Sequence, residues 1–301
     1  MNITKQDAYK LLVELSNKGI NTEKMKAFLK QYINEEKIRA SDKDFGLTTV
    51  SLSDLKPHEL MKEDIPDGQL FNFIMASATL PMFRQASIND NVYLDGAFYN
   101  NCPYNLLINK GYDEVIIIRT KALGIFRKPG DSKIKCISPN DDLGSILLFS
   151  PENSQAQLKL GYHDGLRFAQ SLLGRKYYVR RSNDYDFSGR LMSLDDESIL
   201  RVGEILKLSQ MPAKRMLFEE IIPILGSYLK LNKNFDYADF AVALLEYAAM
   251  EKNIERFCIY DYTQFCNVVK TSPDIRKWQN PLSSNKEKAV KLLGKLISFP
   301  F

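Results

Sequence analysis

Three short runs in the first third of the chain carry residues whose types and order suit acid–base chemistry. Met75-Ala76-Ser77-Ala78-Thr79-Leu80-Pro81 closes a helical pattern, Tyr93-Leu94-Asp95-Gly96-Ala97 ends a strand pattern, and Asn100-Asn101-Cys102-Pro103 follows. An aspartate at the C-terminal edge of a strand stands where open α/β sheets place their ligands. Gly96 leaves room for another backbone or side chain to approach its carboxylate. A carboxylate in such a place can accept a proton from a hydroxyl. A lone Asp-Gly pair is usually just a turn, so the ordered set carries the weight.

The other reactive residues are few. Only two histidines exist, so a Ser-His-Asp triad or a multi-histidine metal site would have to use His58 or His163. His163 precedes Asp164, but adjacent residues in a helix do not face each other, and it is read as structural or solvent-facing. His58 follows Pro57 and is expected in a surface turn. Ser77 is read as a helix-end hydroxyl that holds backbone near Pro81. The cysteines Cys102, Cys136, Cys258 and Cys266 form no C-x-x-C pair, which points to reduced thiols in a cytosol, without a zinc site or disulfide framework. No metal or organic cofactor is expected.

With 41 basic and 37 acidic residues the net charge is +4, too balanced to argue for nucleic acid but no obstacle to an anionic membrane surface. Arg175-Lys176 and Arg180-Arg181 flank Tyr177-Tyr178-Val179, where a solvated strand edge is favoured over contact with lipid headgroups. Lys121, Arg127 and Lys128 carry the same two readings. The N-terminal MNITKQDAYK lacks a signal-peptide pattern, and no run approaches 18 apolar residues. A cytoplasmic protein, at most peripheral to a membrane, is the expectation.

These residues need elements to position them. Thr4 opens a helical pattern with Ala8, Leu11, Leu12 and Leu15 on one face and Gly19 at its end, and Thr22 opens a second through Ile33. Phe45 to Leu52 reads as a strand, with a shorter one around Leu60–Ile65, and Leu70 to Leu80 as a helix stopped at Pro81. Ser87 to Leu94 reads as a hairpin bending at Asn89-Asp90-Asn91. Pro103 to Lys110 forms a short helix. Val115-Ile116-Ile117-Ile118 is an apolar run expected of a strand covered on both faces, and Lys133 to Ser138 is another strand. Beyond Leu191 helical patterns dominate: Ser198–Leu208, Ala213–Leu231, Tyr237–Lys252, Asp261–Lys270 and Lys286–Ile297. The expected organisation is α/β over residues 1–190 and a helical extension over 191–301. Phe240, Leu244, Leu245 and Ala248 in that extension are read as packing surface, with a lid or membrane-docking face as the sharper alternative.

The motif set resembles the patatin-like phospholipase family. That family has an A-S-x-x-x-P helix end, matched by Ala76-Ser77 to Pro81, then an Asp-Gly-Ala/Gly element, matched by Asp95-Gly96-Ala97. An Asn-Asn-x-Pro turn follows, matched by Asn100 to Pro103. The clear resemblance covers roughly Phe45 to Thr120 and extends in outline from Thr4 to Arg181. It implies a three-layer α/β/α domain, present here only in part, and a lipid acyl hydrolase using a Ser-Asp dyad on phospholipids or other acyl-ester lipids. Asp95 would be the dyad acid, Gly96 and Ala97 its turn, and Asn100, Asn101 and Pro103 its support. A dyad explains the shortage of histidine, because the aspartate itself takes the serine proton.

The chain departs from the family at one essential point. The family's serine lies in a G-x-S-x-G elbow preceded by a Gly-rich oxyanion loop, and neither occurs in residues 1–301. Gly144-Ser145 and Gly226-Ser227 lack the second glycine. Both missing elements would precede Thr4, so the chain reads as the C-terminal portion of the domain and is predicted inactive alone. Absent central strands would leave sheet edges open, so the isolated chain is expected to express poorly or to bind a complementing N-terminal segment. The alternative is a non-catalytic pseudoenzyme or split-gene fragment that binds lipid or a partner chain.

Overall fold

The structure is a computed structural model and describes residues 21–81, 83–84, 86–120, 124–130, 133–144, 150–182, 185–273 and 284–298. The helix expected from Thr4 to Gly19, and Lys121, lie outside the described residues. The chain divides into two compact units, Met1–Ser138 and Pro139–Phe301. Helices and sheets are mixed, as an α/β chain requires.

The first unit is built on a four-stranded antiparallel sheet in the order β2-β1-β4-β3. Its strands are β1 (Gly46–Ser51), β2 (Lys56–Met61), β3 (Ala86–Ile88) and β4 (Asn91–Asp95). β1 lies between β2 and β4, and its run of apolar and β-branched side chains, Leu47-Thr48-Thr49-Val50, suits a strand with neighbours on both edges. Thr48 and Thr49 are both buried. The expected hairpin forms, and Asn89 and Asp90 turn it with φ of 47° and 63°. Those left-handed angles belong to the tight turn whose twist matches the flanking strands.

Helix α1 (Glu23–Leu29) is shorter than expected, and α2 (Glu35–Ala40) follows, capped by Asn34 Oδ1, which accepts from Lys37 N–H at 2.9 Å. Helix α3 (Leu70–Ser77) packs on the sheet. Leu70, Phe73 and Ala76 from α3 meet Leu47, Ile65, Ile88 and Tyr93 in a small core.

Two expectations in this unit are corrected. The second strand is Lys56–Met61, not Leu60–Ile65, so His58 lies in a strand and not in a turn. Pro57 is tolerated there because β2 is an edge strand with no second ladder to satisfy. Strand β5 (Val115–Ile118) is covered on one face only: Val115 and Ile117 are buried, while Ile116 and Ile118 are 56% and 76% exposed. It pairs in parallel with β6 (Ile134–Ile137). An unbroken apolar run does not distinguish one covered face from two. Helix α4 (Asn105–Asn109) lies between these two sheets in the chain.

The second unit is mainly helical. Helix α5 (Pro151–Ala169) starts at Ser150, whose Oγ accepts from Asn153 N–H. Strand β7 (Tyr178–Arg180) pairs in parallel with β8 (Ile259–Asp261), a strand that the sequence pattern did not reveal. This pairing ties residues before the expected boundary at 190 to the helices after it. Between the two strands lie α6 (Phe187–Met192), α7 (Asp196–Leu206), α8 (Ala213–Arg215), α9 (Ile222–Tyr228) and α10 (Tyr237–Glu251). A wider π turn, Met216–Ile221, joins α8 to α9 just before Pro223, whose missing N–H interrupts the ordinary ladder. Helices α11 (Tyr262–Thr271) and α12 (Asn285–Ser298) complete the unit. Phe240, Leu244 and Leu245 are buried in its core and Ala248 packs against it, the role expected of packing surface.

Candidate functional site

Asp95 ends β4 and caps a single 3-10 turn, Gly96–Phe98, its Oδ1 accepting from Ala97 N–H at 2.8 Å. Two neighbouring segments hold it there. Its own N–H donates to the Thr79 carbonyl at 2.9 Å, and the β1 register sets Thr49 opposite it. Thr49 Oγ1 donates to the Leu94 carbonyl at 2.7 Å, locking the two strands one residue before the carboxylate.

Gly96 has a steric reason to be glycine. A Cβ at this position would sit 2.2 Å from the Thr48 carbonyl oxygen, so the turn lies directly on the β1 backbone. The same Thr48 carbonyl accepts from Ser77 Oγ at 2.7 Å. Ser77 is therefore a hydroxyl that binds backbone, as expected, but the backbone is that of β1 and not the segment near Pro81.

The turn continues into a strap. Asn100 N–H donates to the Gly96 carbonyl, and Asn100 Oδ1 accepts from Cys102 N–H at 3.2 Å. Asn101 N–H donates to Ile125 O at 2.7 Å, and Ile125 N–H returns to Ala97 O at 2.9 Å. Gly124, at φ +133°, lies so close that a Cβ would come within 2.6 Å of Ala97 O. Gly124 and Ile125 were not singled out in the sequence, although a glycine flanked by apolar residues was a signal of close backbone approach.

Asp95, Gly96, Ala97, Asn100, Asn101 and Pro103 all line one cleft of about 450 Å³, together with Thr48 and Ser77. Phe45, Leu47, Ile74 and Ala78 supply apolar wall. Asp95 is half-buried. Loss of water around it pushes its proton affinity above the ordinary aspartate range, and the Ala97 N–H opposes that only in part. Among the described residues no cationic side chain pairs with it. A half-buried, proton-avid carboxylate beside an apolar cleft can act as a proton acceptor.

The remaining candidates do not join this cleft. His58 stands 3.9 Å from Asp54 and edge-on to Tyr93. His163 hydrogen-bonds the Lys159 carbonyl through Nδ1 and packs against Tyr178 and Phe257. Its neighbour Asp164 is buried and pairs with Arg167 at 2.6 Å, so no His-Asp couple forms. The basic residues around β7 are engaged within their own unit. Lys176 and Arg256 both pair with Asp141, Arg181 pairs with Asp236 and Arg180 with Asp261. Arg127 stacks over the Tyr99 ring at 4.5 Å, while Lys128 is exposed. Among the described residues no group of three or more His, Cys, Asp or Glu converges to hold a metal, and all four cysteines are free. No described helix is long and apolar enough to cross a membrane.

Sequence reasoning also missed Glu246, a buried carboxylate in α10. Its Oε1 accepts from the N–H groups of Arg175, Lys176 and Tyr177 at 2.7, 2.7 and 2.6 Å. A glutamate amid apolar helix residues gave a weak signal at best, because its partners lie far away in the chain.

No curated protein and no solved structure matches the chain significantly. A family model does: Patatin-like phospholipase matches residues 5–108. Those residues, which include Asp95 and all the motif positions around it, are similar to that family.

Proposed function

We propose that Asp95 is the acid of a Ser-Asp dyad in a lipid acyl hydrolase, acting on carboxylic esters of phospholipid-type substrates. The observation that carries this is the placement of Asp95, half-buried, without a cation partner among the described residues, on the wall of a largely apolar cleft. The patatin-like match supports the lipid acyl hydrolase class.

In the proposed reaction the serine hydroxyl attacks the ester carbonyl while Asp95 takes its proton. The leaving alcohol departs with a proton, and Asp95 then accepts one from the water that opens the acyl-enzyme. Desolvation favours this role because it raises the proton affinity of the carboxylate. Gly96 and Ala97 hold the carboxylate, Asn100 and Asn101 brace its loop, and Pro103 starts the segment beyond.

The serine and the oxyanion donors are not supplied by residues 1–301, which contain no G-x-S-x-G. Ser77 is a poor substitute, since its hydroxyl is committed to Thr48 O. The proposed nucleophile comes from a complementing segment, and contact with a membrane surface would deliver the lipid. The same missing motif favours a second reading, a pseudoenzyme that binds lipid or a partner chain without turnover.

The test joins this chain to the in-frame polypeptide encoded upstream and measures hydrolysis of p-nitrophenyl butyrate. Activity that falls by about 10²–10⁴-fold in Asp95→Ala, with an unchanged melting temperature, supports the dyad. Full activity in Asp95→Ala defeats it. An upstream stop codon without the motif, together with lipid binding and no turnover, favours the pseudoenzyme.

A further inference from the structure

The wall of the Asp95 cleft includes two residues that are almost wholly buried and incompletely hydrogen-bonded. Asn100 is 2% exposed and Thr48 4% exposed, and both line the cleft. Among the described residues, Asn100 Nδ2 and Thr48 Oγ1 have no hydrogen-bond partner. The orientation of the Asn100 amide follows from its other end, since Oδ1 accepts from Cys102 N–H and Nδ2 is left as the donor. Buried donors without acceptors are costly, and folds keep them chiefly where water or a ligand pairs with them.

The neighbouring groups narrow the ligand. Phe45, Leu47 and Ile74 give the cleft an apolar body, while Asp95 adds an acceptor at the polar end. A hydroxyl oxygen has one proton to give and two lone pairs to offer. It can donate to Asp95 while accepting from Asn100 Nδ2 and from the Thr48 hydroxyl. A carboxylate head has no proton to give and is repelled by Asp95, and an ammonium has no lone pair for Asn100.

We propose that Asn100 and Thr48 form, with Asp95, a hydroxyl-binding subsite whose ligand is an uncharged alcohol on an apolar body. This rests on the reading of Asp95 as a proton acceptor. It assigns Asn100 more than the bracing of a loop: it is a positioning residue that holds the oxygen whose proton faces Asp95.

The experiment titrates the full chain of residues 1–301 with hexan-1-ol and with hexanoate at pH 8, following the backbone amides of Gly96 and Ala97 by NMR. Saturable shifts with hexan-1-ol, and much weaker ones with hexanoate, are expected. Thr48→Val removes a hydroxyl that makes no hydrogen bond among the described residues, so it should melt no lower than the parent while binding hexan-1-ol about fivefold more weakly. Asn100→Asp retains the acceptor for Cys102 N–H, loses the amide donor, and should weaken binding by at least as much. Failure of hexan-1-ol to bind, equal binding of hexanoate, or unchanged affinity in both variants would overturn the proposal. The two readings fail separately. Loss of alcohol binding alongside Asp95-dependent hydrolysis removes the subsite alone. Saturable alcohol binding alongside full activity in Asp95→Ala removes the dyad alone.

Discussion

Asp95 in the first unit and Glu246 in the second are both carboxylates held by backbone N–H groups, and burial pushes both above their ordinary proton affinity. Their surroundings differ. Glu246 is 4% exposed, and one of its oxygens gathers three successive N–H groups, which clamps the Gly174 turn onto α10. Gly174, at φ +93°, leaves no room for a Cβ beside that oxygen. Asp95 takes one N–H from its own turn and lines an apolar cleft with Thr48 and Asn100, whose Oγ1 and Nδ2 have no hydrogen-bond partner among the described residues. A raised proton affinity therefore does not by itself mark a site. What separates the two is how much of the carboxylate is spent on holding the chain together.

That comparison is open to test, and the largest effect belongs to Glu246. Glu246→Ala should lower unfolding stability in urea by about 3–5 kcal/mol, because three successive N–H groups, that of buried Tyr177 among them, lose their acceptor. Glu246→Gln, which keeps an acceptor oxygen, should lose much less. If Asp95→Ala proved as costly as Glu246→Ala, Asp95 would be a structural clamp too and the contrast would vanish.

The next effect concerns the backbone beneath Asp95. Gly96→Ala meets the rigid Thr48 carbonyl at 2.2 Å and should cost about 1–3 kcal/mol while displacing the Asp95 loop. Gly226→Ala, in the second unit, meets the edge of the Phe235 ring at 2.5 Å. That ring can swing aside, so the melting temperature should fall less. Equal losses would mean that the two glycines are packed against equally rigid neighbours.

The smallest effect is one of pH. Because the folded state raises the proton affinity of Asp95 above the ordinary 3.8, this group's contribution to stability is full below that value. It is lost as pH rises through the folded-state pKa. Asp95→Asn keeps the acceptor for Ala97 N–H and removes the buried charge. Its melting temperature should exceed the parent's at pH 7, with the gap closing as the pH is lowered toward 3.8. A gap that widened on acidification would show that the carboxylate is stabilised by an ion pair.

Local features of the fold were legible because they rest on short-range physics. The 87–94 hairpin followed from Asn-Asp at its bend, where left-handed angles cost least. The helices after residue 191 followed from their apolar periodicity, whereas Ile259–Asp261 is a strand through its pairing with β7, about 80 residues away in the chain. The order of Ser77, Asp95, Gly96, Asn100 and Pro103 also pointed to one locality, since those residues lie within two elements and a turn. Val115–Ile118 was misjudged because side-chain type says nothing about which face receives a covering layer.

The amino-acid sequence alone determined the alternation of elements, the acidic turn at Asp95 and the lack of a nucleophile elbow in residues 1–301, for these depend on near neighbours and spacing. Only the tertiary structure decided that Thr48 lies under Gly96, that Gly124 and Ile125 strap Ala97, and that Asn100 and Thr48, which line the Asp95 cleft, keep polar atoms without a partner among the described residues. Those outcomes depend on strand register and loop return, where a shift of one residue would turn Thr48 or Asp95 to the opposite face of the sheet.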